Sequence, residues 1–344
     1  MPGGTGSPSP IFRRDGRNEQ DGTAASSESA PSLSRLTAVP DVVVGLGQCS
    51  LDLLGRITDF PAVDQKCELC EVLAQGGGPV ATALVTLARF GVQTHFVGRV
   101  GDDDHGRRIR EGLEAEGVDC GALLTDPGRS SQFAFIAVDA GARRTIFWNR
   151  GSARPLAVAE LPPALLAGAR VLHLDGLQAE ASLAAARAAR AAQVTTVLDG
   201  GTWREGTGEL LPLIDHLVVS ERFALQVTGD GPAADALGPL LAYGAQAVTI
   251  TLGAGGSITR TRVGETIRQE AFAVAAVDTT GCGDVFHGGY IYGLLQRWPL
   301  PRTLRFATAC AALKTRALGG RTAIPTLAEV LELLENPVMR PGEG

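Results

Sequence analysis

Asp278-Thr-Thr-Gly-Cys-Gly-Asp284 lies between an apolar run at 272–277, which predicts a strand, and one at 285–295, which predicts a helix. A strand, a glycine turn and a helix in that order can cradle an anion. Gly281 and Gly283 free the backbone, so the N–H groups of Gly281, Cys282, Gly283 and Asp284 can converge on one point. The helix macrodipole adds roughly half a positive charge there. Asp284, at the helix start, has two readings. As a cap it accepts backbone hydrogen bonds. As a general base it stands where a proton leaves a hydroxyl attacking a phosphoryl group. A cap alone requires neither the two glycines nor the two threonines and two aspartates gathered here, so the catalytic reading is preferred.

The same alternation recurs on both sides. Residues 41–47 are a β-branched run ending in glycine, which predicts a buried strand. The Gly76-Gly-Gly-Pro79 turn opens a helical stretch at 81–90 closed by Gly91. Next come a strand at 94–100, a helix at 107–116 closed by Gly117, and a hairpin at 132–139 and 144–149. Further strands are predicted at 171–174, 194–198, 216–219, 247–252 and 270–277. Helices are predicted at 179–192, 222–227, 234–243, 285–296 and 303–318. This order indicates an α/β fold with a mainly parallel sheet and ligands at the carboxyl ends of its strands.

Two other glycine turns compete for phosphate. Gly45-Leu-Gly47-Gln-Cys-Ser50 follows a strand as a dinucleotide fingerprint does, but Ser50 stands at the third glycine position and no clean helix follows. Thr251-Leu-Gly-Ala-Gly-Gly256 reads equally as a hairpin or a phosphate turn.

The 344 residues suffice for one large domain or two modest ones with a substantial core. With 31 basic against 37 acidic side chains and a net charge of −6, a nucleic-acid partner is not expected. Lys66 and Lys314 are the only lysines, and neither follows a glycine, which excludes a Walker-type phosphate loop. A nucleotide must then be held by backbone amides, Mg2+ and arginine. The six cysteines are scattered and read as reduced thiols, and the lone Cys67-x-x-Cys70 lacks the second pair of a zinc site. Residues 1–38, rich in Gly, Ser, Pro and Ala, predict a disordered tail without a signal-peptide core. No uncharged apolar run reaches the roughly 18 residues of a membrane span. The expectation is a cytoplasmic protein with no membrane partner, one domain at 39–335 and a flexible tail at 336–344.

Residues 278–284, taken with 76–106 (a glycine turn, a helix ending at Gly91, then G-R-V-G-D-D-D-H-G), resemble the paired signatures of the PfkB (ribokinase-like) family of carbohydrate kinases. The resemblance covers about residues 40–326. Asp284-Val-Phe-His-Gly288 and Leu313-Lys-Thr-Arg-Ala-Leu-Gly-Gly-Arg321 are most similar to the branch containing sulfofructose kinase. The resemblance implies a three-layer α/β/α sandwich with a mainly parallel central sheet and a small β-lid at about 51–75 and 130–150. It implies phosphorylation of a hydroxyl on a small sugar or sugar derivative, such as a ketose, sugar phosphate or sulfosugar, from Mg2+-ATP. Asp284 would be the base, and the amides of Gly281, Cys282, Gly283 and Asp284 the anion hole.

By the same resemblance, Asp52 matches an aspartate that binds substrate hydroxyls, and Gly77 and Gly78 match a di-glycine turn under the sugar. Thr82 stands where ribokinases have an asparagine that grips the sugar. Lys66 and Asn149 project from the lid toward the substrate's far anionic end. Thr251, Gly253 and Gly256 fit the nucleotide-side turn, with Ser220 in place of the asparagine of an N-x-x-E pattern. Asp278 and Thr280 fall where many members place a monovalent cation, K+; no Mg2+ ligand is assignable. The lid edges offer a route to a homodimer. Other readings are a nucleoside kinase of the same fold, a dinucleotide-dependent oxidoreductase using residues 45–50, and a non-catalytic sugar sensor, against which Asp284 and its glycines stand.

Overall fold

The computed structural model describes residues 41–229 and 231–336. The tail expected at 1–38 and residues 337–344 lie outside them. In chain order the first half comprises β1 (Val42–Leu46), β2 (Ser50–Arg56), β3 (Glu71–Gly77), α1 (Pro79–Arg89), β4 (Gln93–Gly101), α2 (Asp104–Ala115), β5 (Asp119–Asp126), β6 (Phe133–Val138) and β7 (Arg144–Asn149). There follow β8 (Ala169–Leu174), α3 (Ala179–Ala191), β9 (Thr195–Gly200), α4 (Thr207–Leu210), β10 (His216–Ser220), α5 (Glu221–Thr228), α6 (Leu237–Leu241) and β11 (Ala247–Thr251). Last come β12 (Ser257–Thr261), β13 (Thr266–Gln269), α7 (Cys282–Leu295), α8 (Leu300–Lys314) and α9 (Leu327–Glu335).

Nine strands form one sheet in the order β13-β12-β11-β10-β9-β8-β1-β4-β5. The strands from β11 to β5 are parallel, and β12 and β13 add an antiparallel edge. Both faces of the parallel strands are covered, as the alternation of side chains requires. Val43, Val171 and Val197 enter a core with Leu84 and Leu87 of α1, Ile291 of α7 and Phe306 of α8. Their sequence neighbours Val44, Leu172 and Leu198 enter a second core with Ala185 of α3, Phe223 of α5 and Leu240 of α6. The result is a three-layer α/β/α sandwich.

The helix stops are those that the glycines predict. After α1, Gly91 N donates to Ala88 O at 2.9 Å and Val92 N to Leu87 O at 3.0 Å. After α2, Gly117 and Val118 repeat the pattern on Glu114 and Leu113. Both are Schellman closures that turn a helix directly into the next parallel strand.

A second sheet, in the order β3-β2-β6-β7, stands over the carboxyl ends of the first. It is tied down by Asp103, which caps α2 by accepting from Gly106 N at 2.8 Å. Asp103 also accepts from Ser131 N at 2.9 Å and Ser131 Oγ at 2.6 Å, just before β6. The acidic part of the G-D-D-D-H-G stretch is therefore a joint between the two sheets.

Several expected elements differ. Residues 270–277 are not a strand. The sheet edge is the β12–β13 hairpin, and the chain then leaves it: Val277 N and Asp278 N donate to Thr315 O at 2.7 and 3.1 Å, in the turn after α8. The helix expected at 234–243 is a 3-10 turn, Ala233–Ala236, followed by the five residues of α6. The helix expected at 303–318 begins at Leu300 and stops at Lys314. Among the described residues no helix is long and apolar enough to cross a membrane.

Candidate active site

The second sheet meets the first over a cavity of about 400 Å³ at the carboxyl ends of β1, β8 and β9. Strand alternation decides which side chains reach it. Ser50 and Asp52 of β2, Ala134 and Ile136 of β6, and Arg144, Ile146 and Trp148 of β7 line one wall. Asp175, Asp199, Gly78, Thr280, Gly281 and Asp284 line the opposite side.

Gly281 is the N-cap of α7, with φ 74, and no side chain caps this helix. Asp284 lies in its first turn and makes no side-chain hydrogen bond among the described residues. The cap reading of Asp284 therefore fails, and its carboxylate is left for the cavity. Burial pushes that carboxyl up to about 7; Asp199 adds to the rise, His287 and Arg144 oppose it, and Asp52 adds a little more. His287 joins this turn to the end of β9. Its Nδ1 lies 2.7 Å from Gly283 O and 3.4 Å from Asp199 Oδ2, and its Nε2 lies 3.3 Å from Val218 O.

Asp52 accepts from Ser50 Oγ at 2.7 Å, and burial raises its carboxyl as well. Gly77 has to be glycine because a Cβ there would fall on the Asp52 carboxylate. Gly78, with φ 100, caps α1 at the cavity wall. Thr82 does not line the cavity. It is buried behind this turn, where its hydroxyl accepts from Arg321 Nε at 3.3 Å while Arg321 Nη2 donates to Gly77 O at 3.0 Å.

Lys66 and Asn149 are also outside the cavity. Lys66 lines a separate open groove with Asp59, Phe60, Gln65, Glu68 and Cys70. Asn149 falls on the other face of β7 from Arg144, Ile146 and Trp148, and its Oδ1 accepts from Gly151 N at 2.8 Å. Its sequence neighbours Trp148 and Arg150 line the cavity instead.

The residues expected on the nucleotide side group at the next two strand ends. Ser220 and Thr251 are register partners on β10 and β11. Ser220 Oγ donates to Gly201 O at 2.8 Å and accepts from Phe223 N at 3.1 Å, capping α5. Gly253 begins the tight turn of the β11–β12 hairpin, and Leu252 N closes it onto Gly256 O at 2.8 Å. The competing turn at 45–50 leads from β1 straight into β2 rather than into a helix, so it is no dinucleotide fingerprint. Asp278 and Thr280 lie beneath α7, where the Asp278 carboxylate accepts from Thr280 N at 2.8 Å, Thr280 Oγ1 at 2.7 Å and Gly319 N at 2.7 Å.

Asp175 and Asp199 escaped the sequence reading as site residues. Each stands at a strand's carboxyl end directly before a glycine, a signal that could have found them. Asp175 accepts from Gln48 N at 2.7 Å and Leu177 N at 2.9 Å, and burial pushes its carboxyl up to about 7. The arginines divide into two sets. Arg99 pairs with Asp126 and Glu160, and Arg154 with Asp126. Arg144, Arg150 and Arg204 line the cavity with no carboxylate at ion-pair distance among the described residues. Arg144 donates to Thr279 Oγ1 at 2.7 Å and Arg150 sits over the Trp148 ring, 5.9 Å from its centroid.

Ribokinase from Haemophilus influenzae is 31% identical over 271 residues, covering 76% of this chain and 87% of that protein. The ATP-dependent ribose-1-phosphate kinase of Halopiger xanaduensis is 29% identical over 296 residues, 85% of this chain and 97% of that protein. The structure of Arabidopsis thaliana ribokinase complexed with ribose and ATP aligns with a TM-score of 0.75 at 25% identity, covering 87% of this chain and 99% of that one. Residues 42–327 match the pfkB family carbohydrate kinase description, and with these relatives and this fold the chain belongs to that family and phosphorylates a sugar or sugar derivative.

Proposed function

We propose that the chain transfers the γ-phosphoryl group of ATP to a hydroxyl of a small sugar derivative that carries an anionic group. The observation that supports this most directly is Asp284, a carboxylate without a side-chain hydrogen bond among the described residues, set in the first turn of α7 and sharing one cavity with Asp52. Asp52 orients the acceptor hydroxyl beside the Gly77–Gly78 turn. Asp284 takes the hydroxyl proton as the acceptor oxygen bonds to the γ-phosphorus, the bond from that phosphorus to the β–γ bridging oxygen breaks, and ADP leaves. The amides of Gly281, Cys282, Gly283 and Asp284 hold the charge of the phosphoryl group in transit. Mg2+ would be held mainly by the ATP phosphates and would neutralise part of their charge. Ser220, Thr251, Gly253 and Gly256 border the nucleotide, a placement that suits their position at neighbouring strand ends.

The arginines that face the cavity without an ion pair among the described residues support an anionic acceptor. Arg144, beside Thr279, faces the phosphoryl end, whereas Arg150 with Trp148 stands on the lid wall over the acceptor. A hydrogen bond between charged partners contributes about 1.5–3 kcal/mol, roughly 10–100-fold in affinity. Arg150→Met should therefore raise KM for an anionic acceptor about tenfold or more, with a smaller change in kcat. ADP release measured over neutral ketoses, ketose phosphates, sulfofructose and nucleosides tests the class. Faster turnover of neutral sugars would remove the anionic requirement, and a preference for nucleosides would favour the nucleoside-kinase reading. The sulfofructose kinase-like branch rests on the two stretches at 284–288 and 313–321, and Leu177 stands where an arginine would suit a sulfonate.

A second copy of the chain is the proposed cover for the outer face of the lid. Val72 of β3, Phe147 of β7 and Phe60 are 66%, 53% and 52% exposed there, and the Phe60 and Phe147 rings lie 6.5 Å apart. Sedimentation at micromolar concentration should give a dimer that Phe147→Asp converts to a monomer; a monomeric parent protein sinks this assignment.

A further inference from the structure

Lys314, the last residue of α8, is fully buried and has no carboxylate within ion-pair distance among the described residues. Its Nζ donates to the carbonyl oxygen of Asp278 at 3.0 Å, its one hydrogen bond among the described residues. An ammonium withdrawn from water in this way is costly unless its charge is used. Burial lowers its pKa, while Asp278, Cys282 and Asp284 work in the opposite direction and Arg144 adds to the lowering.

The surroundings show what the charge can do. The segment 277–281 lies along the turn after α8. Val277 N and Asp278 N donate to Thr315 O, Gly319 N donates to Asp278 Oδ2, and Thr280 N and Oγ1 donate to Asp278 Oδ1. The Asp278 carboxylate thus accepts three hydrogen bonds from the protein, and its carbonyl accepts one from Lys314. The place where the family resemblance puts K+ already holds a cation of the protein's own. A second cation beside it would meet strong like-charge repulsion in a low-dielectric interior. Asp278 and Thr280 therefore do not present a monovalent-cation site.

We propose that the Lys314 ammonium is a built-in cation that holds the 278–281 loop, and through it the anion hole, so that turnover needs no K+. The proposal rests on the kinase reading for its effect on rate, but not for its effect on ion binding. Lys314 is a positioning residue, since it acts on the nest through the Asp278 carbonyl.

Thermal melting without ATP or acceptor is the first test. Chloride salts of K+, Na+ and choline at equal ionic strength should give the parent protein the same melting temperature. Lys314→Met keeps the stem and removes the charge, and Lys314→Ala opens space for an ion. Lys314→Ala should gain a melting increase specific to K+ or NH4+. With Mg2+-ATP and an accepted sugar, both variants should lose roughly 10²-fold in kcat. K+ or NH4+, but not choline, should restore part of that loss in Lys314→Ala. A K+-specific rise in melting temperature or turnover of the parent protein would overturn the proposal, as would full kcat in Lys314→Met. If both variants fail to fold, the parent protein's response to K+ decides alone. Absence of ADP release from every acceptor would instead count against the kinase reading and leave the melting result intact.

Discussion

Asp284→Asn lowers kcat by roughly 10²–10⁴-fold and changes ATP affinity by no more than about threefold, as loss of a general base requires. Asparagine keeps the shape of the side chain, and no helix-cap bond is lost because Asp284 makes none. The variant should melt at the same temperature or slightly higher, since one charge leaves a site that already holds Asp199 and Asp52. The pH profile gives a second readout. A base works only when deprotonated, and this carboxyl is pushed up to about 7, so kcat/KM should fall as pH drops through that value. Asp199 lies close enough to raise Asp284, so the limb belongs to the pair. Near-parental turnover of Asp284→Asn would remove Asp284 from the mechanism, and a parental acid limb at the pH of an ordinary aspartate would show that burial does not raise this carboxyl.

Gly281→Val is the other severe substitution, with an expected loss of roughly 10²–10³-fold in kcat, comparable to losing an oxyanion-hole donor. Gly281 has φ 74, and a Cβ there would stand 2.8 Å from Gly320 O. A left-handed conformation costs a residue with a Cβ about 1–2 kcal/mol, and Val is among the least tolerant. The turn must open, the amides diverge, and the melting temperature falls with the rate. Gly283→Ala separates the two effects. Its Cβ meets nothing within 4 Å, so the fold should hold while the methyl group crowds the arriving phosphoryl group. Steady-state kinetics beside melting curves read both; unchanged kcat in Gly281→Val would show that the nest is not where the phosphoryl group is held.

Much of the fold was legible because its signals are local. Gly91 and Gly117 stop their helices through bonds that span only a few residues. The α/β alternation could be read from periodicity, and the glycine turn before α7 from spacing alone. Residues 272–277 misled because an apolar composition does not reveal whether a sheet has an edge left to receive the segment. The misplacement of Asn149 has another cause. A strand's side chains alternate, so a difference of one position between Trp148 and Asn149 decides cavity or solvent, and the pairing of β6 with β7 sets that phase. Thr82 was legible as a position but not in its partner, for Arg321 reaches it across 239 residues of chain.

Although β5, β12, β13 and α9 were not read in it, from sequence alone came the α/β alternation, the absence of a Walker lysine, and the glycine turn at 278–284 with Asp284 at a helix start. These depend on dihedral freedom and on spacing within a few residues, which the chain carries wherever it goes. Only the tertiary structure decided that Asp284 is no cap, that Asp175 and Asp199 join it, and that Lys314 Nζ lies against the Asp278 carbonyl. Each of those depends on distances of a few ångströms between segments far apart in sequence. Burial and Coulomb energy act on such distances, and they come into being only when the layers close.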